Sequence, residues 1–138
     1  MTTDSAATGS LVIHSARLIE HGAEVADSWV RIEDGRVVAV GTGQSWSRAD
    51  EVVDATVVAG PDAVLTPGFI DIHCHGGAGA SFDDGAEAIR KARALHRSHG
   101  TTRSVISLVT APVDALAQRV AEIADLMETD ADLSLIHI

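Results

Sequence analysis

Residues 65–84 read LTPGFIDIHCHGGAGASFDD, and this stretch decides both the fold class and the candidate chemistry of the chain. Its apolar first half is typical of a buried strand, which ends in His-Cys-His and is followed by glycines. In a strand, residues i and i+2 point to the same side. His73 and His75 are therefore expected to project together, with Cys74 pointing away from them.

Two imidazoles that project together can converge on one metal ion. They fall at the C-terminal end of an expected parallel strand, where the sites of α/β barrels collect, and Gly76-Gly77 leaves room beside an ion. Neutral imidazole suits Zn²⁺ or another borderline divalent cation. We therefore predict that His73 and His75 are metal ligands. The alternative is a pair of strand-end histidines bonded to water or backbone.

Asp71 lies two residues before His73 and shares its face if the strand is regular. Its carboxylate is a candidate to orient an imidazole by a hydrogen bond to the ring nitrogen that does not bind the metal. Alternatively, the carboxylate accepts hydrogen bonds from N–H groups of a neighbouring loop. The GGAGAS segment at 76–81 is either a phosphate cradle or a flexible loop, and it lacks the GxGxxG spacing. Asp83-Asp84 is interpreted as a capping pair for the following helix.

The other histidines and the cysteine have simpler interpretations. His96 and His99 lie near the end of a predicted helix, where the negative end of the helix dipole explains them. His14 and His21 lie in the predicted β region and are expected at the surface. Cys74 is expected to be packed rather than nucleophilic.

The sequence after Pro67-Gly68 alternates strands with helices. The predicted elements are a strand at 69–73, a helix over 84–99 stopped by Gly100, a strand at 104–109 and a helix over 113–127, with Thr110 as its N-cap and Pro112 in its first turn. Such alternation implies parallel pairing and an α/β fold, either a small open sheet or a barrel. Two β-α units cannot close a barrel that needs eight. We therefore expect the first two units of a truncated (β/α)8 TIM barrel.

The sequence before Pro67 predicts a different kind of domain. Residues 1–10 are small and polar and are expected to form a disordered tail. Residues 11–64 contain short β patterns, which indicate a small all-β, sandwich-like domain. Asp34-Gly35 is its strongest hairpin signal, with Val30 and Ile32 predicted to face Val38 and Val40.

The 138 residues fit one ordinary domain, and 46% apolar and 22% charged residues are typical of a globular chain. The formal charge of −10 opposes binding to nucleic acid and to anionic membrane surfaces. Cys74 is the only cysteine, so no disulfide forms within the chain. The sequence shows neither a signal peptide nor a membrane span. We therefore expect a cytoplasmic protein without nucleic-acid or membrane partners.

Three motifs resemble the amidohydrolase superfamily, in which a PGFID-x-H-x-H strand opens a metal-dependent (β/α)8 barrel behind a small β-sandwich domain. They are LTPGFIDIHCHGGAGASFDD, HRSHGTT and, at residues 107–112, SLVTAP. Within the superfamily the combination is most similar to N-acetylglucosamine-6-phosphate deacetylases. The resemblance covers residues 11–132, and it places the start of the hydrolase barrel at residues 65–132.

The resemblance implies hydrolysis of the acetamide of N-acetylglucosamine 6-phosphate, with a divalent metal polarising the carbonyl and a late-strand carboxylate moving protons. His73 and His75 match the strand-one metal ligands of the family. Because some members lack this pair and use one metal, its presence implies capacity for a second. By the same resemblance, the other ligands, the catalytic Asp and the phosphate-binding residues lie beyond position 138, and the full-length protein is a homodimer that binds a small amino-sugar phosphate.

We expect this chain to be an incomplete and inactive fragment of such an enzyme, and poorly soluble or molten by itself. Residues 133–138, LSLIHI, are either a divergent, truncated third strand or a non-native end, since one reading frame of a common transposase-end sequencing adapter encodes the same residues. Two alternatives remain for the function. One is another amidohydrolase, such as a dihydroorotase-like cyclic amidase or a deaminase. The other is a non-catalytic β plus α/β binding module whose histidine pair is structural.

Overall fold

A computed structural model of the chain describes residues 9–130 and has mixed α/β structure. It divides into two compact units, Met1–Pro67 and Gly68–Ile138. The expected tail falls mostly on residues outside the described ones, but Ser10, which we placed in it, already belongs to the first strand. The expectation of a non-native or truncated strand at 133–138 also lies outside the described residues.

The first unit is a β-sheet with one short helix. Its elements are β1 (Ser10–Glu20), β2 (Ala23–Glu33), β3 (Arg36–Thr42), β4 (Glu51–Asp54), α1 (Ala55–Ala59) and β5 (Val64–Leu65). Within the described residues the strand order is β3-β2-β1-β4, and β5 also pairs with β1. The first three strands are antiparallel, whereas β4 and β5 run parallel to β1.

Two-residue turns join the antiparallel strands of this sheet. Asp34 and Gly35 have φ of 47° and 74°, and His21 and Gly22 have 51° and 76°. Positive φ at both central residues defines the turn whose twist matches antiparallel strands. The hairpin predicted at Asp34-Gly35 is therefore confirmed, and His21-Gly22 forms a second one that the sequence patterns did not predict.

The register of the predicted hairpin is right in part. Val30 lies opposite Val40 as expected, but Ile32 lies opposite Val37 rather than Val38. The pairing is irregular between Arg31 and Ile32, and an extra residue in one strand shifts every partner beyond it. The core of the first unit consists of apolar residues from β1, β2 and the loop before β5: Val12, Ala16, Leu18, Trp29, Val30 and Ala63.

The segment EVVDATVVAG at residues 51–60, within the region predicted to contain short β patterns, changes structure at its middle. Strand β4 ends at Asp54, whose carboxylate accepts hydrogen bonds from the backbone N–H of Thr56 at 2.9 Å and from its hydroxyl at 2.7 Å. These bonds cap the first turn of α1. A capped five-residue helix therefore replaces the second half of the expected strand.

The second unit has the β-α-β-α order that we predicted. Its elements are β6 (Phe69–Cys74), β7 (Gly76–Gly77), β8 (Ala80–Ser81), a 3-10 turn (Phe82–Asp84), α2 (Ala86–Ser98), β9 (Thr101–Ile106) and α3 (Val113–Thr129). Strands β6 and β9 pair in parallel, as the alternation of strands and helices predicted. Among the helices of residues 9–130, none has the length and apolar character that a membrane crossing needs.

Several predicted boundaries of the second unit are wrong. Strand β9 occupies residues 101–106 rather than 104–109, because the polar residues after Gly100 pair with the start of β6. Thr110 does not cap α3, which begins at Val113 with Pro112 as its N-cap residue. Gly100 follows the end of α2 with φ of 89°, so the predicted stop is confirmed.

The core of the second unit lies between β6, β9 and the two helices. It comprises Cys74, Phe82, Ile89 and Ala92, with Ile106, Ile123 and Leu126 packed against them. Cys74 is therefore packed, as predicted. The apolar residues of α3 are only partly buried, since Val113 and Val120 are exposed.

Candidate metal centre

The two predicted ligands lie side by side where β6 ends. The rings of His73 and His75 are edge to face, with centroids 5.0 Å apart and planes at 85°. Both residues are exposed. Two imidazoles on one tetrahedral zinc ion would have ring centroids about 5 Å apart, given zinc–nitrogen bonds of about 2 Å. The separation in the structure therefore fits a shared divalent ion.

Ser107 holds the ring of His73 from the neighbouring strand. Its hydroxyl lies 3.1 Å from Nδ1 of His73, and its backbone N–H donates to the Cys74 carbonyl at 2.9 Å. Contacts of this kind orient metal-ligating histidines and leave the other ring nitrogen for the metal. Sequence reasoning missed Ser107, although it is the first residue of the SLVTAP motif.

Asp71 does not lie behind His73 as we expected. The pairing of β6 with β9 is irregular between Asp71 and Cys74, so strict alternation of side chains is interrupted there. The Asp71 carboxylate accepts a hydrogen bond from the backbone N–H of His73 at 3.1 Å. Its oxygens also lie within 4.8 Å of the metal-capable atoms of Cys74 and His96. Asp71 thus supports the strand end rather than an imidazole ring.

Cys74 and His96 hold the carbonyl of Gly76 on the other side of the strand. Nε2 of His96 donates to this oxygen at 3.0 Å, and the Cys74 thiol donates to it at 3.2 Å. Sγ and Nε2 are themselves 3.2 Å apart. The helix dipole alone does not explain His96, which has a specific partner; His99 contacts the Leu95 carbonyl at 2.9 Å, near the helix end.

Asp71, Cys74 and His96 form the only group of three metal-capable side chains among residues 9–130. A buried cation already lies near them. Burial lowers the pKa of Arg93, Arg97 lowers it further, and the charges of Cys74 and Asp71 act in the opposite direction. The guanidinium of Arg93 is close to this group, and Cys74 and His96 both donate hydrogen bonds to the Gly76 carbonyl. We therefore interpret the group as structural support for the strand end.

The GGAGAS segment forms a short hairpin. Strands β7 and β8 pair through Gly76–Ser81 and Gly77–Ala80. A side chain at Gly76, whose φ is 150°, would collide with the backbone oxygen of Ala80. A Cβ at Gly77 would lie 2.9 Å from Nε2 of His96. The two glycines therefore allow the chain to turn tightly just after the histidines.

Asp83 joins the loops that follow β6 and β9. Its carboxylate accepts from the backbone N–H of Val109 at 3.3 Å and from the Ser81 hydroxyl at 3.2 Å. Asp84 completes a capping box with Ser81 on the 3-10 turn, whereas α2 has Gly85 at its N-cap and no side-chain cap. The expected capping pair for α2 is therefore wrong. Asp83, at the end of the motif LTPGFIDIHCHGGAGASFDD, therefore connects this motif to the SLVTAP motif.

Among residues 9–130, the two other histidines, His14 and His21, lie in the first unit. The ring of His14 is half-buried and stacks on Trp46, with centroids 5.3 Å apart, so its expected surface position is wrong. The His21 side chain is 90% exposed, as expected. A cavity of about 350 Å³ in the second unit contains neither predicted ligand; its lining is formed by Phe82, Gly85, Ala86, Ile89, Arg119, Glu122, Ile123, Asp125, Leu126 and Thr129.

Comparison with known proteins supports the motif resemblance. No protein-family model matches the chain. It is 36% identical over 75 residues to N-acetylglucosamine-6-phosphate deacetylase of Bacillus subtilis, covering 54% of this chain and 18% of that protein. It is 28% identical over 114 residues to N-acetylgalactosamine-6-phosphate deacetylase of Escherichia coli O157:H7, covering 82% of this chain and 28% of that protein.

A solved structure adds agreement in fold. The D267A mutant of the Mycobacterium smegmatis N-acetyl-D-glucosamine-6-phosphate deacetylase, in complex with N-acetyl-D-glucosamine-6-phosphate, aligns with a TM-score of 0.73 and 30% identity, covering 91% of this chain and 31% of that chain. The present chain thus spans less than a third of each of these relatives. The resemblance predicted from the three motifs is confirmed: in sequence and in structure, this chain is similar to part of the N-acetylglucosamine-6-phosphate deacetylases.

Proposed function

We propose that this chain is part of a metal-dependent deacetylase that hydrolyses N-acetylglucosamine 6-phosphate to glucosamine 6-phosphate and acetate. The observation that carries the proposal is the pair of exposed imidazoles at the C-terminal end of a parallel strand, 5.0 Å apart. In proteins with alternating strands and helices, sites gather at that end of the strands. The named relatives supply the substrate class.

In this proposal His73 and His75 hold a divalent ion through their ring nitrogens, with zinc the best match to imidazole donors. When bound, the ion supplies Lewis acidity toward the amide carbonyl and lowers the pKa of a water molecule. The residues of this chain orient the two rings: Ser107 contacts the ring of His73, and the glycine hairpin turns the backbone away after His75. We also propose that the second unit begins a (β/α)8 barrel and that the enzyme is a homodimer.

A second substrate is supported by one observation. The Escherichia coli relative is an N-acetylgalactosamine-6-phosphate deacetylase, and it matches more of this chain than the Bacillus subtilis relative does. The two sugars differ in the configuration of one hydroxyl group. Both substrates therefore belong in the assay.

Metal binding is tested on the chain itself by calorimetric titration with Zn²⁺. We expect the His73→Ala and His75→Ala variants to bind Zn²⁺ at least tenfold more weakly than the parent, because a single imidazole remains at the site. His21→Ala is the matched control, since that ring is exposed and lies in the first unit. Equal affinities in the parent and in both site variants would contradict the metal centre.

Activity is tested in a chimera, in which residues 68–130 replace their structural counterpart in the Mycobacterium smegmatis relative. N-acetylglucosamine 6-phosphate and N-acetylgalactosamine 6-phosphate are assayed side by side, and we expect acetate release from the former and its loss on His73→Ala in the chimera. Dihydroorotate is the comparison substrate for the cyclic amidase alternative. Ring opening without acetate release would favour that alternative. A chimera that folds, as judged by circular dichroism, and hydrolyses neither of the two amino-sugar phosphates nor dihydroorotate would contradict the proposal.

A further inference from the structure

We infer that Ser107 is a positioning residue for His73: its hydroxyl engages Nδ1, fixes the orientation of the ring and reserves Nε2 for the metal. The inference rests on the proposed metal function and extends it to a residue outside the histidine pair. Its basis is the 3.1 Å contact between the Ser107 hydroxyl and Nδ1 of His73.

The position of Ser107 is fixed by the backbone of the sheet. It directly follows β9, and its N–H donates to the Cys74 carbonyl at 2.9 Å, which extends the pairing of β6 and β9 beyond Ile106. Ser107 is also half-buried. Its hydroxyl is therefore presented to His73 from a backbone that is held within the sheet.

The contact matches the tautomer that metal binding through Nε2 requires. A neutral histidine that binds a metal through Nε2 carries its proton on Nδ1, and that N–H needs an acceptor. The Ser107 oxygen is such an acceptor. Within residues 9–130 the ring of His75 has no hydrogen-bond partner, so the two rings should differ in tautomer preference.

Asp83 provides a control for simple loop anchoring. Its carboxylate accepts from the backbone N–H of Val109, two residues after Ser107, and within residues 9–130 it makes no hydrogen bond to the ring of His73 or His75. If Ser107 acted only by fixing the loop after β9, removing the Asp83 carboxylate should disturb His73 in the same way. If Ser107 acts through its hydroxyl, Asp83→Ala should leave the His73 tautomer unchanged.

The test combines nitrogen NMR of the histidine rings at about pH 8, where imidazoles are ordinarily neutral, with Zn²⁺ titration. We expect one predominant tautomer for His73 in the parent chain, with the proton on Nδ1. Ser107→Ala should abolish this preference and weaken Zn²⁺ binding about tenfold or more. Ser107→Thr, which keeps the hydroxyl, should restore both.

Each other outcome is decisive. The inference is wrong if the His73 tautomers are averaged in the parent, if Ser107→Ala preserves the preference, or if Asp83→Ala removes it equally. Failure of the proposed function is recognised separately. In that case His73→Ala leaves Zn²⁺ affinity unchanged, while the effect of Ser107→Ala on the tautomer persists.

Discussion

The packing of Trp29 depends on the absence of a side chain at Gly41. Its indole lies against Gly41, and its N–H donates to the Ser45 hydroxyl at 3.1 Å and to the Thr42 carbonyl at 3.3 Å. A Cβ at Gly41 would lie inside the van der Waals surface of the indole ring. The ring and the glycine therefore depend on each other.

Gly41→Ala is expected to lower the free energy of unfolding of the first unit by about 1–3 kcal/mol, because the ring must leave its site or the strand must shift. Urea unfolding followed by tryptophan fluorescence measures the change. Gln44→Ala, an exposed position just after the strand, is the control and should change stability by less than about 0.5 kcal/mol. Equal stabilities of parent and Gly41→Ala would show that the ring adapts without cost.

Sequence alone predicted His73 and His75 because alternation along a strand is a local rule. Ser107 could not be assigned a partner in the same way, since its contact with His73 depends on the register between two strands that are separated by a helix. Asp71 was misassigned because an irregularity in that register breaks the alternation. Local periodicity therefore placed the histidine pair but not the neighbouring groups that contact it.

Strand β4 is anchored at both ends by aspartates. The Asp50 carboxylate accepts from the backbone N–H of Ser10 at 2.8 Å and from its hydroxyl at 2.7 Å, and Asp54 is bonded in the same way by Thr56. The backbone hydrogen bond from Ser10 holds the pKa of Asp50 below its ordinary value, and the Thr56 hydroxyl does so most strongly for Asp54. Both bonds are made to the ionised carboxylate.

These lowered pKa values predict acid sensitivity of the first unit. A depressed folded-state pKa contributes stability above the unfolded-state value, and this contribution is lost as the pH falls through the folded-state pKa. We expect the stability difference between the parent and Asp50→Asn to be full above about pH 5 and to shrink as the pH falls below about 4. Urea unfolding at several pH values measures it. A difference that stays constant down to about pH 2 would contradict the prediction.

The elements that sequence predicted well have a local signal. The Asp34-Gly35 hairpin, the order of the second unit and the stop at Gly100 all depend on turn residues or periodicity within a few positions. Helix α1 is too short for a periodic pattern, and only the Asp54 cap marks it. The start of β9 was missed because its first residues are polar and pair with β6.

The two units differ in how their strands are supported. In the described residues β1 is paired along both edges, by β2 on one side and by β4 and β5 on the other. Within residues 9–130, strands β6 and β9 pair only with each other, and Ile72 remains 75% exposed. A sheet of two strands is marginally stable in water without further packing.

Hydrogen exchange should therefore distinguish the units. We expect the amides of β1 and β2 to exchange at least tenfold more slowly than those of β6 and β9, because local opening costs less where a strand has one partner. Mass spectrometry of peptides after deuterium labelling makes the measurement. Equal protection of β1 and β6 would contradict it and would indicate that helix packing alone stabilises the second sheet.

For the whole chain, composition and motifs predicted the α/β class and the family resemblance, whereas the arrangement of strands within each sheet needed the structure. The position of β5 is an example. Val64 and Leu65 pair with Arg17 and Leu18, and no sequence pattern marks two residues as a strand partner of such distant ones. Pairing between residues so far apart in the sequence produces no local pattern from which it could be predicted.

The central position of β1 also has a consequence for synthesis. Because β5 pairs with β1, the first sheet cannot be completed until residues 64 and 65 have left the ribosome. The first hairpin can form early, but the last parallel partner arrives only just before the strand that ends in the histidines. Pairings so distant along the chain also slow folding, since closing the loop costs entropy before the new contacts form. The nascent first sheet therefore keeps one edge of β1 incompletely paired until the His-Cys-His segment is about to emerge.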